Sequence, residues 1–285
     1  DGVEYRHQVD RQRFGVHAGR RFSRRLSGAI GWRLETVEAD SSAEVNADDD
    51  ARGLERGEDL PFAQLPAGVA AGVGRRERSF VTADLVLDSR SPRQVAGSPV
   101  AGAWSRLRLE QCLQGDRGFG AADLDLRAYR AALGGVVAAR WRGSVVGDAA
   151  PFYDRLYLGG LYTVRGFPGQ SLSAPAGDTW LWAGSLEYRA PLVGDRARPR
   201  LAGVLFLDAG QSGGETGDGD AGDGDGGEAV KAAWSGRRDI AAAAGWGVRL
   251  RVGWLGWLGL DCGIPLTDSP VDDAFRAHAS IGWTF

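Results

Sequence analysis

Arg165, set among Gly159, Gly160 and Gly166, is the residue of this chain best suited to hold another group. Its guanidinium presents five donors in a rigid fork. Two carboxylates follow it, Glu187 and Asp208, in segments where polar and apolar residues alternate. If those segments are strands, period two turns both carboxylates to one side, and a charge-assisted clamp on Arg165 is the natural expectation. The glycines permit close backbone approach or a positive φ, and Phe167 is expected to pack on Phe206, which shares the side of Asp208. The blander reading leaves Arg165 as one of many arginines paired at random.

Other chemistry is scarce. His7, His17 and His278 are scattered, no serine lies in a nucleophile-elbow context, and Cys112 and Cys262 offer neither a zinc-ligand spacing nor a disulfide framework. Gly213–Glu228 alternates carboxylates with glycine, but it lacks both the twelve-residue calcium-loop pattern and a nonapeptide repeat, so a solvated acidic loop is expected there. No catalytic residue, cofactor or metal is predicted. With 34 basic and 37 acidic residues and a net charge of −3, nucleic acid is disfavoured as a partner.

Strands must position these residues. Near the C-terminus Phe275, Ala277, Ala279, Ile281, Trp283 and Phe285 alternate with Arg276, His278, Ser280, Gly282 and Thr284. The same alternation places Trp180, Trp182, Leu186 and Tyr188 opposite Ser185, Glu187 and Arg189, and Leu205 and Leu207 opposite Val204, Phe206 and Asp208. About eleven such segments can be counted: 12–20, 26–38, 77–88, 102–112, 121–131, 136–147, 179–190, 201–210, 239–251, 255–264 and 275–285. Convincing helical periodicity is absent, and no apolar run approaches the ~18 residues of a membrane-spanning helix.

A sheet with one apolar and one polar face is either a soluble sandwich or barrel, apolar inward, or a membrane barrel, apolar outward. Segments of about nine to thirteen residues are long for soluble sheets and suit tilted membrane strands. Aromatic residues near segment ends, Trp180, Trp182, Phe275, Trp283 and Phe285, suit interfacial girdles. The prediction is therefore all-β, a transmembrane antiparallel β-barrel of about 11–12 strands, with Leu205, Trp257 and Ile281 toward lipid and Arg140 and Glu187 inside. Long or medium connections (39–76, 113–120, 148–178, 211–237, 265–274) alternate with short ones, as in outer-membrane barrels with long loops outside and short turns in the periplasm. That sets the C-terminus at the periplasmic rim. An even strand count would need residues 1–9 as a twelfth strand, or strands preceding Asp1.

The run Leu158-Gly159-Gly160-Leu161-Tyr162-Thr163-Val164-Arg165-Gly166-Phe167 resembles the GG…VRGF signature of the sixth extracellular loop in the bacterial surface antigen superfamily, the BamA-, TamA- and FhaC-type outer-membrane barrels. Leu186-Glu187-Tyr188-Arg189-Ala190-Pro191-Leu192 and Phe206-Leu207-Asp208-Ala209-Gly210 are similar to the strand motifs that follow it in that family. So are Gly245–Arg249, Leu260–Leu266 and the ending Ile281-Gly282-Trp283-Thr284-Phe285, which resembles an aromatic C-terminal assembly signal. Upstream, Leu85–Arg90 resembles a weaker mid-barrel motif, and the likeness fades before residue 77.

The resemblance implies that the 148–178 loop folds into the lumen, that Arg165, Gly166, Phe167, Glu187, Phe206 and Asp208 form its clamp, and that Ile281, Trp283 and Phe285 mark the seam closing the barrel. It implies a bacterial outer-membrane factor that inserts or translocates polypeptides. Its partners would be the lipid bilayer, unfolded outer-membrane or secreted clients, and periplasmic accessory proteins. A pore of the two-partner-secretion type, exporting a polypeptide through the lumen, is the alternative; a surface antigen or structural barrel is the third reading. The family commonly has sixteen strands and periplasmic POTRA domains; no POTRA domain is visible in residues 1–285, and eleven or twelve strands fall short of sixteen, so this one barrel domain is expected to be N-terminally trimmed, with a reduced barrel as the alternative.

Overall fold

The computed structural model describes residues 5–6, 8–40, 43–45, 59–60, 67–113, 118–214, 239–253, 256–268 and 274–285. The acidic stretch expected as a solvated loop lies almost wholly outside them.

One antiparallel sheet dominates. Its eleven strands are β1 (Val9–Arg21), β2 (Leu26–Ala39), β3 (Gly74–Asp88), β4 (Ala101–Cys112), β5 (Gly120–Ala132), β6 (Gly135–Val146), β7 (Trp180–Gly194), β8 (Pro199–Gly213), β9 (Ala241–Val252), β10 (Gly256–Pro265) and β11 (Arg276–Ile281). Each pairs with its sequence neighbours, so the spatial order is the chain order, and β1 and β11 are left as the two edges. Tyr5–Arg6 joins no twelfth position; it pairs with Ala43–Val45, which in turn pairs with Asp59–Leu60 in a separate ribbon.

Alternation fixes which face is which. On β8 Leu205 and Leu207 are 60% and 49% exposed while Val204, Phe206 and Asp208 are buried. Ile30, Leu85, Leu109, Leu186, Trp246 and Leu260 likewise project outward from six other strands. The outer face is thus a continuous apolar surface, which water would not tolerate at this size and a bilayer would. The inner face is ionic: Glu35, Arg78, Arg189, Glu187, Arg249 and Asp261 are all buried. The opposite arrangement, an oily centre with wet charges, would define a soluble sheet protein, and it is not what these residues adopt.

The strands run longer than their apolar patterns. β7 continues through Pro191, where the register to β8 shifts between Pro191 and Val193; a proline lacking its N–H is accommodated at such an irregularity. The connections sort by length. Those at 22–25, 133–134, 195–198 and 253–255 are short, and that at 89–100 carries a small hairpin, Gln94–Val95 with Ser98–Pro99. The strand ends that these five join lie at one end of the sheet, and the strand ends joined by the long connections lie at the other.

Candidate functional site: a loop held against the inner face

The connection between β6 and β7 folds across the inner face instead of projecting from the rim. It satisfies much of its own backbone, as a buried loop must. Leu156 and Asp178 form a bridge, Leu172 donates its N–H to the Leu158 carbonyl at 3.1 Å, and the Leu158 N–H reaches Ser173 Oγ at 2.8 Å. Leu158, Val164, Phe167 and Leu172 then bury themselves against Ala183 of β7 and Ala241 and Ala243 of β9.

Arg165 stands at the centre. Its Nε and Nη2 donate to Asp208 Oδ2 and Oδ1 at 2.7 and 2.8 Å, a forked pair, and its backbone N–H adds a third bond to Oδ2 at 3.1 Å. Nη1 lies 2.7 Å from Glu187 Oε1 and 3.5 Å from Asp261 Oδ2, and Nη2 donates to Ser185 Oγ at 3.0 Å. The guanidinium sits 3.6 Å from the centroid of the Phe206 ring, a cation–π contact in a desolvated place. Burial would lower the Arg165 pKa, but the Asp208 hydrogen bond and the charges of Glu187, Asp208 and Asp261 raise it above the ordinary arginine value. The space left beside it is about 10 Å³, room for roughly one water, so this cluster holds a loop and leaves no pocket for a small molecule.

The structure thus brings Arg165, Glu187, Phe206 and Asp208 together, but it separates Phe167 from Phe206. The face of Phe206 is taken by Arg165, while Phe167 belongs to the apolar group around Leu158 and Val164. Sequence reasoning also missed half of the ionic set. Arg189 donates Nε to Glu187 Oε2 at 2.8 Å, and Arg249 grips Asp261 with bonds of 2.6 and 2.8 Å. Three arginines and three carboxylates, each at most 1% exposed, therefore balance in charge. Asp261 could have been found from the Leu260–Leu266 motif, where period two opposes it to Leu260 and Ile264; nothing in one strand indicated that β7, β8 and β10 would converge on a single loop residue.

Gly166 lets the loop pass. Its φ is +96°, and a Cβ there would meet Ala243 Cβ and the Gly263 carbonyl carbon at 3.1 Å. A Cβ on Gly263 would come within 2.5 Å of the Gly166 nitrogen. Gly263→Ala is accordingly expected to displace the loop and destabilise it by about 1–3 kcal/mol, seen as new protease cleavage within 156–172.

The C-terminus departs from the alternation. β11 ends at Ile281, 74% exposed, and Gly282, with φ +91°, turns the chain inward. Trp283 and Phe285 therefore face the interior and not lipid. Arg189 lies 4.5 Å from the centroid of each ring, Thr284 Oγ1 donates to Glu187 Oε1 at 3.0 Å, and Arg189 Nη2 reaches the Phe285 carbonyl at 3.1 Å. Trp257 shares this fate, its ring 5.6 Å from that of Trp283.

A second ionic cluster holds the same loop at its other end. Asp154 pairs with Arg78 of β3 and, at 3.2 Å, with Arg11 of β1; Arg11 also donates to the Tyr153 carbonyl. Arg78 in turn pairs with Glu35 of β2. Since the Gly166 N–H lies 3.3 Å from His278 Nε2 of β11, this one loop touches both edge strands. Elsewhere in it, burial pushes the Asp178 carboxyl up, against hydrogen bonds from Ser212 and Ser173. A carboxylate with a raised folded-state pKa favours folding below its unfolded value and loses that contribution as pH rises through the folded one. Asp178→Asn is therefore expected to flatten a pH dependence in which the protection factor of the parent's Leu156 amide, its exchange rate relative to the intrinsic rate at each pH, rises as pH falls from 7 toward 4.

Among solved structures the chain is similar to BamA from Haemophilus ducreyi lacking POTRA domains 1–3, with a TM-score of 0.65 at 15% identity, covering 95% of this chain and 55% of that one. It is also similar to CdiB from Acinetobacter baumannii, with a TM-score of 0.56 at 14% identity, covering 95% of this chain and 41% of that one. The chain thus spans about half the length of these proteins. A sequence search of curated proteins finds no match. Two likenesses at such low identity show a shared fold, and the family profile for the Omp85 superfamily domain covers residues 2–285. On that match the chain belongs to the Omp85 superfamily of outer-membrane β-barrels.

Proposed function

We propose that this barrel inserts polypeptides into the outer membrane at the free edge of β11, with the Arg165 cluster fixing the loop that braces that edge. The observation carrying this reading is the edge itself. β11 spans six residues where the other strands of the sheet span ten to fifteen, and among the described residues no strand pairs with its outer side. It stops at Gly282, beyond which Trp283 and Phe285 leave the sheet plane. A free strand edge offers main-chain donors and acceptors to an incoming strand, and pairing there satisfies backbone groups that lipid cannot. Ile281 would flank the accepting edge, and the inward-turned Trp283 and Phe285 would hold the seam in its resting form. The working end of the protein would be a line of backbone, with Arg165, Gly166, Phe167, Glu187, Phe206 and Asp208 as its support.

Photocrosslinkers at Ala277 and Ala279 test this. Strand-register crosslinks to a nascent outer-membrane barrel support insertion, and crosslinks confined to inner-face positions such as Arg140 would sink it. The likeness to CdiB favours a second reading, export through the interior, in which deletion of 148–178 yields a large conductance in planar bilayers and crosslinks to an exported chain line the inner face. The client, the accessory proteins and a periplasmic C-terminus belong to this proposal.

A further inference from the structure

Charge is divided sharply between the long and the short connections of the chain. The long connections, 40–73, 113–119, 147–179, 214–240 and 266–275, carry 22 acidic and eight basic residues. The short ones carry Arg24, Arg25, Arg90, Arg93, Arg196 and Arg198 against Asp195 alone. All six arginines are exposed, and exposed Arg20 and Arg130 extend the set onto the ends of β1 and β5. Asp195 is occupied by the backbone N–H groups of Ala197 and Arg198 at 2.9 and 3.1 Å. Among the described residues Arg24, Arg25, Arg130 and Arg198 have no carboxylate within ion-pair distance.

These arginines border the apolar surface. Phe22, Leu133, Leu192 and Val193, all more than half exposed, lie at the same end. Arg20 and Arg130 share the outward parity of Phe14 and Val16 on β1 and of Leu126 on β5. A long cationic side chain just beyond an oily belt is placed to lay its stem on lipid tails and its head among phosphates. Arginines recur in three of the four successive short connections from β1/β2 to β7/β8, and Arg130 at the end of β5 stands beside the fourth, as a surrounding leaflet requires; a docked protein would need them gathered on one side.

We propose that this rim binds anionic phospholipid headgroups and so sets the depth of the barrel, with the short-turn end in the leaflet that carries them. The proposal rests on the reading that the outer face meets lipid. The test uses the full-length protein reconstituted in phosphatidylcholine bilayers, with quenching of its tryptophans, ten of them within residues 1–285, by acyl-brominated phosphatidylcholine or phosphatidylglycerol. The expected result is a preference for phosphatidylglycerol of about threefold or more that weakens with salt, falls to about one in R24Q/R25Q/R130Q/R198Q, and survives in the corresponding lysine variant. Quenching by both lipids with no preference overturns the proposal and leaves the barrel standing; absence of quenching by either overturns both. Equal loss in the lysine and glutamine variants also overturns it, because the lysines keep the charge. No lipid preference combined with binding of poly-glutamate would reassign the rim to an acidic protein.

Discussion

Arg165→Ala is expected to free the loop and to lower stability by about 3–5 kcal/mol, the range for removing one member of a buried ion pair. The loss exceeds that of an exposed pair because Asp208, Glu187 and Asp261 stay buried without the cation that three strands present them to. Arg165→Lys is expected to recover little: an ammonium cannot fork onto both Asp208 oxygens while lying flat on Phe206. Adding Asp208→Asn to Arg165→Ala should restore part of the loss by removing one orphaned charge. Heat-modified gel mobility and protease cleavage within 156–172 measure the effect, and a change under about 0.5 kcal/mol would place Arg165 among incidental surface-like pairs.

The second large effect is expected at Arg78. Arg78→Ala leaves Asp154 with Arg11 alone and strips Glu35 of a buried partner. Arg13 still lies 2.5 Å from Glu35, so the expected loss is somewhat smaller, about 3 kcal/mol. Hydrogen exchange separates the two anchors. Amides of 152–155 should exchange faster while those of 164–167 keep their protection, because the apolar group around Phe167 and the Arg165 cluster are untouched. An equal rise at both places would mean that the loop is released as one unit.

Much of this fold could be read from period two alone. A strand shows its alternation whatever its neighbours do, so eleven segments were visible, with ends misplaced where polar residues extend a strand beyond its oily part, as at Gly74–Arg76, and where β7 runs on past a proline through Pro191–Gly194. What escaped was set by curvature. Arg189 and Arg249 look like any inward arginine until the sheet coils and brings β7 and β9 beside one loop. Tip contacts such as Asp154 with Arg78 join residues 76 positions apart and leave no local trace. At the C-terminus the alternation runs on unbroken through Phe285, and only Gly282, which alone among those residues takes a left-handed φ easily, hints that parity reverses.

The β6–β7 loop, gripping Arg11 of β1 and His278 of β11, acts as a tie-bar between the two margins that the sheet has among the described residues. Spreading the margins must strain or break one of its ends, so separation and release of the loop are linked equilibria. By reciprocity, whatever pulls the tie-bar loose eases the margins apart by the same factor as prying the margins loosens the tie-bar.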